Sequence, residues 1–144
     1  MSLLEMAYVP PAQITPRDTI RDAVAAAMPQ GCDAVAVMDA GAIAGILTSR
    51  DILLKVVLRR LDVESTLVGE VMTAPVITLH PETEPEEALR MMLEHNIRHI
   101  LLSEDGSSAA GMLSLRKLLN HLVEDQRHDL RHLEAFINVD GPGG

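Results

Sequence analysis

At Gly45-Ile46-Leu47-Thr48-Ser49-Arg50-Asp51 an apolar run breaks into hydroxyl, basic and acidic residues. This is the pattern of a strand that turns directly into a helix. Such a junction places the Thr48 hydroxyl at the strand end and Asp51 in the first helical turn. A carboxylate there can accept two hydrogen bonds from neighbouring hydroxyls of a ligand. The N–H groups of the helix start offer partial positive charge to an anion. Ser, Thr and Asp at such positions also cap helices, so the junction reads either as a ligand-facing turn or as a plain cap. A related junction recurs at Gly111-Met112-Leu113-Ser114-Leu115-Arg116-Lys117, with lysine where the first has aspartate. A lysine cannot accept hydrogen bonds, so the two junctions are not chemically equivalent.

Other candidate chemistry is thinner. The chain contains no Gly-x-Ser-x-Gly elbow, Walker-type loop or His-Glu-x-x-His helix, and the enzyme reading has no motif to rest on. Glu86 and Glu87 stand at a helix start, where the helix dipole favours acids. His128 and His132 have the i, i+4 spacing of metal ligands, with His121 further back. They sit among Arg127, Asp129 and Arg131, as on a solvated helix face, and no metal is expected. Cys32 is the only cysteine, which excludes an intramolecular disulfide and fits a buried packing residue in a reducing compartment.

Composition narrows the partners. The 144 residues are 47% apolar, with Tyr8 and Phe136 the only aromatics. The core must be aliphatic, and stacking platforms for single-stranded nucleic acid are missing. A net charge of −9 repels nucleic acid and anionic lipid, so a bound phosphate must meet a local basic spot. No apolar run approaches the roughly 18 residues of a membrane span. The N-terminus lacks the pattern of a signal peptide, and Met1 to Leu3 carry no interpretive weight. The expected compartment is the cytoplasm.

The elements that must position these residues come in two copies. Ile14 to Val24 matches Leu79 to Leu89 at an offset of 65, pairing Pro16 with Pro81 and Ala23 with Ala88. Asp33–Met38 then matches Arg98–Ser103. Asp39-Ala40-Gly41 matches Glu104-Asp105-Gly106 as an acidic hairpin turn, and Gly45–Thr48 matches Gly111–Ser114 with one residue inserted. Internal repetition at this period marks a duplicated structural unit. Each unit reads strand, helix, strand, strand, helix. In the first, the helices span 19–28 and 49–61 and the hairpin strands 34–38 and 42–47. In the second, a helix spans 84–95, the strands 99–102 and 110–113, and a long helix begins at Leu115 and reaches Ile137. The fold class is α/β (α+β), with units at residues 1–66 and 67–124 and a helical extension and tail at 125–144.

The two junctions, the tandem order, the run Val71-Met72-Thr73 and the segment Asn96-Ile97-Arg98-His99-Ile100-Leu101-Leu102-Ser103-Glu104-Asp105-Gly106 together resemble cystathionine-β-synthase (CBS) domains. The resemblance covers residues 9–123. It implies a paired, non-catalytic sensing module, often called a Bateman module. Two units would pack through their sheets about a pseudo-two-fold axis and form two clefts between them. Members commonly bind an adenosine nucleotide there and signal to a partner. With no partner domain in this chain, the regulated protein would be separate.

The resemblance also implies site residues. Thr48 and Asp51 would meet ribose, Ile46 with Val76 and Ile77 would hold the base, and Arg98, His99 and Arg116, with Arg50, would hold phosphate. Forked guanidinium donors suit that last role. Lys117 and Asp33, the latter at the position matching Arg98, depart from the pattern, so a single competent cleft is expected, the one with Asp51. No obligatory cofactor is expected. A homodimer is expected through the helices, with Leu130, Leu133, Phe136 and Ile137 adding apolar surface. The alternative is a structural dimerisation module that binds no ligand.

Overall fold

The computed structural model describes residues 2–140, with side chains described through residue 131. The first unit comprises β1 (Gln13–Ile14), α1 (Ile20–Ala27), β2 (Ala34–Asp39), β3 (Ala42–Thr48) and α2, which starts at Ser49–Asp51 and continues as a π-helix over Ile52–Val57. A short α3 (Val68–Val71) leads to the second unit: β4 (Thr78–Leu79), α4 (Pro85–Glu94), β5 (His99–Leu102), β6 (Gly111–Ser114) and α5 (Leu115–Asp140). Each unit holds one three-stranded sheet, β1-β2-β3 and β4-β5-β6, with a parallel first pair and an antiparallel second pair.

Local chemistry sets these boundaries. The Thr19 hydroxyl accepts from Asp22 N–H while the Asp22 carboxylate accepts from Thr19 N–H, a reciprocal cap on α1. Pro85 opens α4, with Glu86 and Glu87 in its first turn. Both first helices stop at left-handed residues, Gly31 (φ 63°) and Asn96 (φ 52°). The π segment shows in i→i+5 bonds such as Leu58 N–H to Leu53 O (3.0 Å). Arg60 at φ 58° follows it, and the regular helix ends at Val57 rather than at Leu61.

Alternation explains why the strands are apolar on both faces. In β2, Val35 and Val37 join a core with Ile20, Val56, Val68 and Val71, beneath α1 and α2. Ala34 and Ala36 point the other way, into a cluster with Ile46, Leu101, Met112 and Cys32 that joins the two sheets. In the second unit Ile100, Leu102 and Leu113 face Met92 and Leu118.

The units also exchange their leading segments. A 3₁₀ turn over Leu3–Met6 belongs to the core of the second unit, and Leu3 N–H donates to Pro81 O (2.7 Å). Leu3 is fully buried, so a residue set aside in the sequence reading is part of the second unit's core. Its counterpart α3, 65 residues on, packs in the core of the first unit. Each segment then pairs with the third strand of that same unit. Tyr8 exchanges two backbone bonds with Met112, and Thr73 two with Ile46. The junction glycines make room for this. A Cβ on Gly45 would lie 3.0 Å from Thr73 O and 2.7 Å from Met72 Sδ, and one on Gly111 would lie 3.0–3.3 Å from Leu4, Val9 and Tyr8 O.

Candidate functional site

The exchange leaves two pseudo-equivalent strand-to-helix junctions, and their chemistry differs. In the first, Thr48 caps α2: its hydroxyl accepts from Asp51 N–H (3.3 Å), and Asp51 Oδ2 accepts from Thr48 N–H (3.1 Å). The other carboxylate oxygen is also engaged. Oδ1 accepts from the Thr73 hydroxyl at 2.8 Å and lies 3.0 Å from Lys55 Nζ. Lys55 Nζ further donates to Val71 O (2.9 Å). Asp51 is buried, and its two oxygens are committed to the cap, to the exchanged segment and to a lysine one turn along. A ligand hydroxyl reaching Asp51 must displace Thr73 or Lys55.

The second junction borders an open cleft. A cavity of about 510 Å³ is lined by Tyr8, Arg98, His99, Ser114, Arg116 and Asn120, with Gly31, Cys32 and Asp33 forming its opposite wall. That volume lies within the range of small-molecule sites. Ser114 caps α5, its hydroxyl accepting from Lys117 N–H (3.1 Å), and Leu115 N–H donates to Arg98 O (2.8 Å). The positive end of a 26-residue helix therefore opens beside Arg98 and Arg116. Lys117 turns aside and sets its ammonium 3.8 Å from the centroid of the Tyr8 ring, a cation–π contact. Burial holds the His99 imidazole below its ordinary pKa; Asp33 opposes that shift and Arg98 adds to it.

The structure divides the predicted set between the junctions. Arg98, His99 and Arg116 come together, but with Ser114 rather than with Thr48 and Asp51. Strand register is the reason: His99 is paired with Ser114, and Ala34 with Thr48. The start of β5 therefore lies beside its own unit's junction. Ile46 is buried and Val76 half-buried at the sheet-to-sheet cluster, whereas Ile77 and Arg50 are exposed. Sequence reasoning passed over Tyr8, Asn120, Lys55 and Thr73. Tyr8 stands 65 residues before Thr73, and Lys55 stands four after Asp51, so both were within reach of the repeat and of helical spacing. Among the described residues, no group of three or more His, Cys, Asp or Glu could hold a metal ion. No helix of the described residues is long and apolar enough to cross a membrane.

Paired α/β units with exchanged leading segments and a basic cavity at one strand-to-helix junction define a tandem-repeat module. The CBS domain family matches residues 6–58 and 68–124, and the chain belongs to that family. The mitochondrial CBS domain-containing protein CBSX3 of Arabidopsis thaliana is 35% identical over 128 residues, which are 85% of this chain and 62% of the relative. YhcV of Bacillus subtilis is 27% identical over 125 residues, covering 84% of this chain and 89% of that protein. A solved protein with CBS domains from Burkholderia ambifaria MC40-6 has a TM-score of 0.76 at 29% identity, over 88% of this chain and 96% of that one. The CBS domain pair of protein MJ0100, solved with 5′-methylthioadenosine and S-adenosyl-L-methionine, has a TM-score of 0.77 at 20% identity, over 87% of this chain and 98% of that chain. At that identity the likeness is one of fold.

Proposed function

We propose that this CBS pair is a non-catalytic sensor that binds a phosphorylated adenosine ligand in the second cleft and signals to a separate protein in the cytoplasm. The observation that carries the reading is the 510 Å³ cavity where Arg98 and Arg116 meet the α5 N-terminus, in a chain of net charge −9. Two guanidinium groups at a helix start suit phosphate oxygens. Adenosine is suggested by the ligands solved in MJ0100 and by the chemistry implied for the family. Sequence alone favoured the Asp51 cleft; the engaged carboxylate there and the open basic cavity move the proposal to the other side. Calorimetric titration with AMP, ADP, ATP, S-adenosylmethionine and cyclic di-AMP tests it. At least one phosphorylated ligand should bind at one per chain and be weakened by Arg98→Ala or Arg116→Ala. Failure of all of them to bind would refute the sensor reading.

A structural dimerisation module is the second reading, and a specific feature favours dimerisation under either. Met28, Leu53 and Val57 are exposed in the first unit, and Leu93, Leu119 and Val123 at matching positions in the second. Apolar exposure repeated by the internal symmetry suits an isologous contact between two copies. Leu130 is exposed as well, whereas the side chains of Leu133, Phe136 and Ile137 lie outside the described residues.

A further inference from the structure

The first unit contains another cavity, of about 300 Å³, between α1, β2 and the start of α2. Its walls are apolar, with Ala27, Cys32, Val35, Leu47 and Ile52 among them, and Asp33 is its only charged lining residue. The internal repeat explains why this space is open. Ala27, Cys32, Val35 and Ser49 line it; the matching residues of the second unit are Met92, Ile97, Ile100 and Leu115. There Met92 and Ile100 are buried in the core, and Ile97 and Leu115 pack against it. The register is secure. Gly31 and Asn96 share a positive φ, and Ser49 N–H donates to Asp33 O as Leu115 N–H donates to Arg98 O. The frame is shared as well: Ala23 and Leu47 match Ala88 and Leu113. The first unit thus keeps the walls of a packed core and lacks the side chains that fill it.

The space opens to the surface, where Val24, Met28, Asp33 and Ser49 on its rim are exposed, while Ala23, Cys32, Ala34, Val35 and Leu47 form its buried floor. An apolar cavity on the order of 150 Å³ is already enough to hold a benzene ring. Among the described residues Asp33 makes no ion pair. We propose that this cavity is a binding site for a small apolar amine. Its hydrocarbon body would lie among Ala27, Val35, Leu47 and Ile52, and its ammonium group would meet the Asp33 carboxylate. The site adjoins the basic cleft, and Gly31, Cys32 and Asp33 line both.

The test uses phenethylamine as probe and the full chain, read by methyl NMR and thermal unfolding. Saturable shifts are expected at Ala23, Ala27, Val35 and Leu47. Phenylacetate, of similar size and opposite charge, should bind about threefold more weakly, the scale of one exposed charge contact, and Asp33→Asn should erase the preference. Ala27→Met supplies the residue that fills the second unit. It should raise the unfolding temperature, as cavity filling does, and abolish the shifts; Ser49→Leu provides an independent filling variant. The proposal is overturned if both filling variants lower the unfolding temperature, which would mean that no space exists, or if the amine still binds to them. Equal affinity for amine and carboxylate also overturns it. So does loss of dimer in the filled variants, because a side chain of a second copy would then be the occupant.

Discussion

Replacing Lys55 with methionine keeps the aliphatic stem and removes the ammonium that engages Asp51. The structure sets the size of the effect. Lys55 Nζ lies 3.0 Å from Asp51 Oδ1 and 2.9 Å from Val71 O, and the two side chains are 33% and 8% exposed. A charge-assisted hydrogen bond contributes about 1.5–3 kcal/mol. Screening at the partly exposed lysine lowers the pair to about 2 kcal/mol in all. For a domain of this length that is a drop of about 5–8 °C in unfolding temperature. Asp51→Asn should cost a similar amount, because it leaves the lysine without its counter-charge. The double variant should cost less than the two together by about 1 kcal/mol, since each single change already breaks the same contact. Urea unfolding with an unchanged m-value is the assay. With the lysine gone, Asp51 Oδ1 retains only Thr73, so nucleotide stoichiometry should rise above one per chain. Additive costs, within about 0.3 kcal/mol, would refute the reasoning.

Leu3→Ala should cost about 2–5 kcal/mol, the usual range for an emptied core position, and hydrogen exchange should rise first in the second unit, where that side chain is buried. His99 should titrate below 6.5 by NMR in the free protein. A group held below its unfolded pKa contributes stability that is complete above about pH 6.5 and is lost as pH falls through the folded value. Phosphate binding should raise that value, and an unmoved His99 resonance in a saturated complex would count against its place in the site. Leu53→Asp with Leu119→Asp should shift sedimentation equilibrium toward monomer, and an unchanged dimer would place the contact elsewhere.

The repeat was legible because it is written in backbone chemistry: prolines before each first helix, glycines at each turn, and hydroxyl caps at each junction. The exchange of leading segments was harder to see. Leu3-Leu4-Glu5-Met6 reads as an unremarkable apolar stretch, and nothing local says that its partner is Met92 rather than Ile20. Extending the 65-residue offset upstream to Val68–Val71 would have exposed it. The candidate-site residues could be picked out by type, but which of them lie together depends on strand register, which composition does not carry. The engaged state of Asp51 required Thr73, which arrives from the exchanged segment, and no spacing rule connects the two.

The proposed phosphate site rests on Arg98 and Arg116. The most direct measurement compares AMP with adenosine by calorimetry, in the native chain and in Arg98→Ala/Arg116→Ala. The native chain should prefer AMP by at least about tenfold, the effect of roughly one charge-assisted hydrogen bond, and the double variant should lose that preference while its affinity for adenosine is unchanged. Equal affinities in the native chain, or a preference that survives without both arginines, would contradict the account.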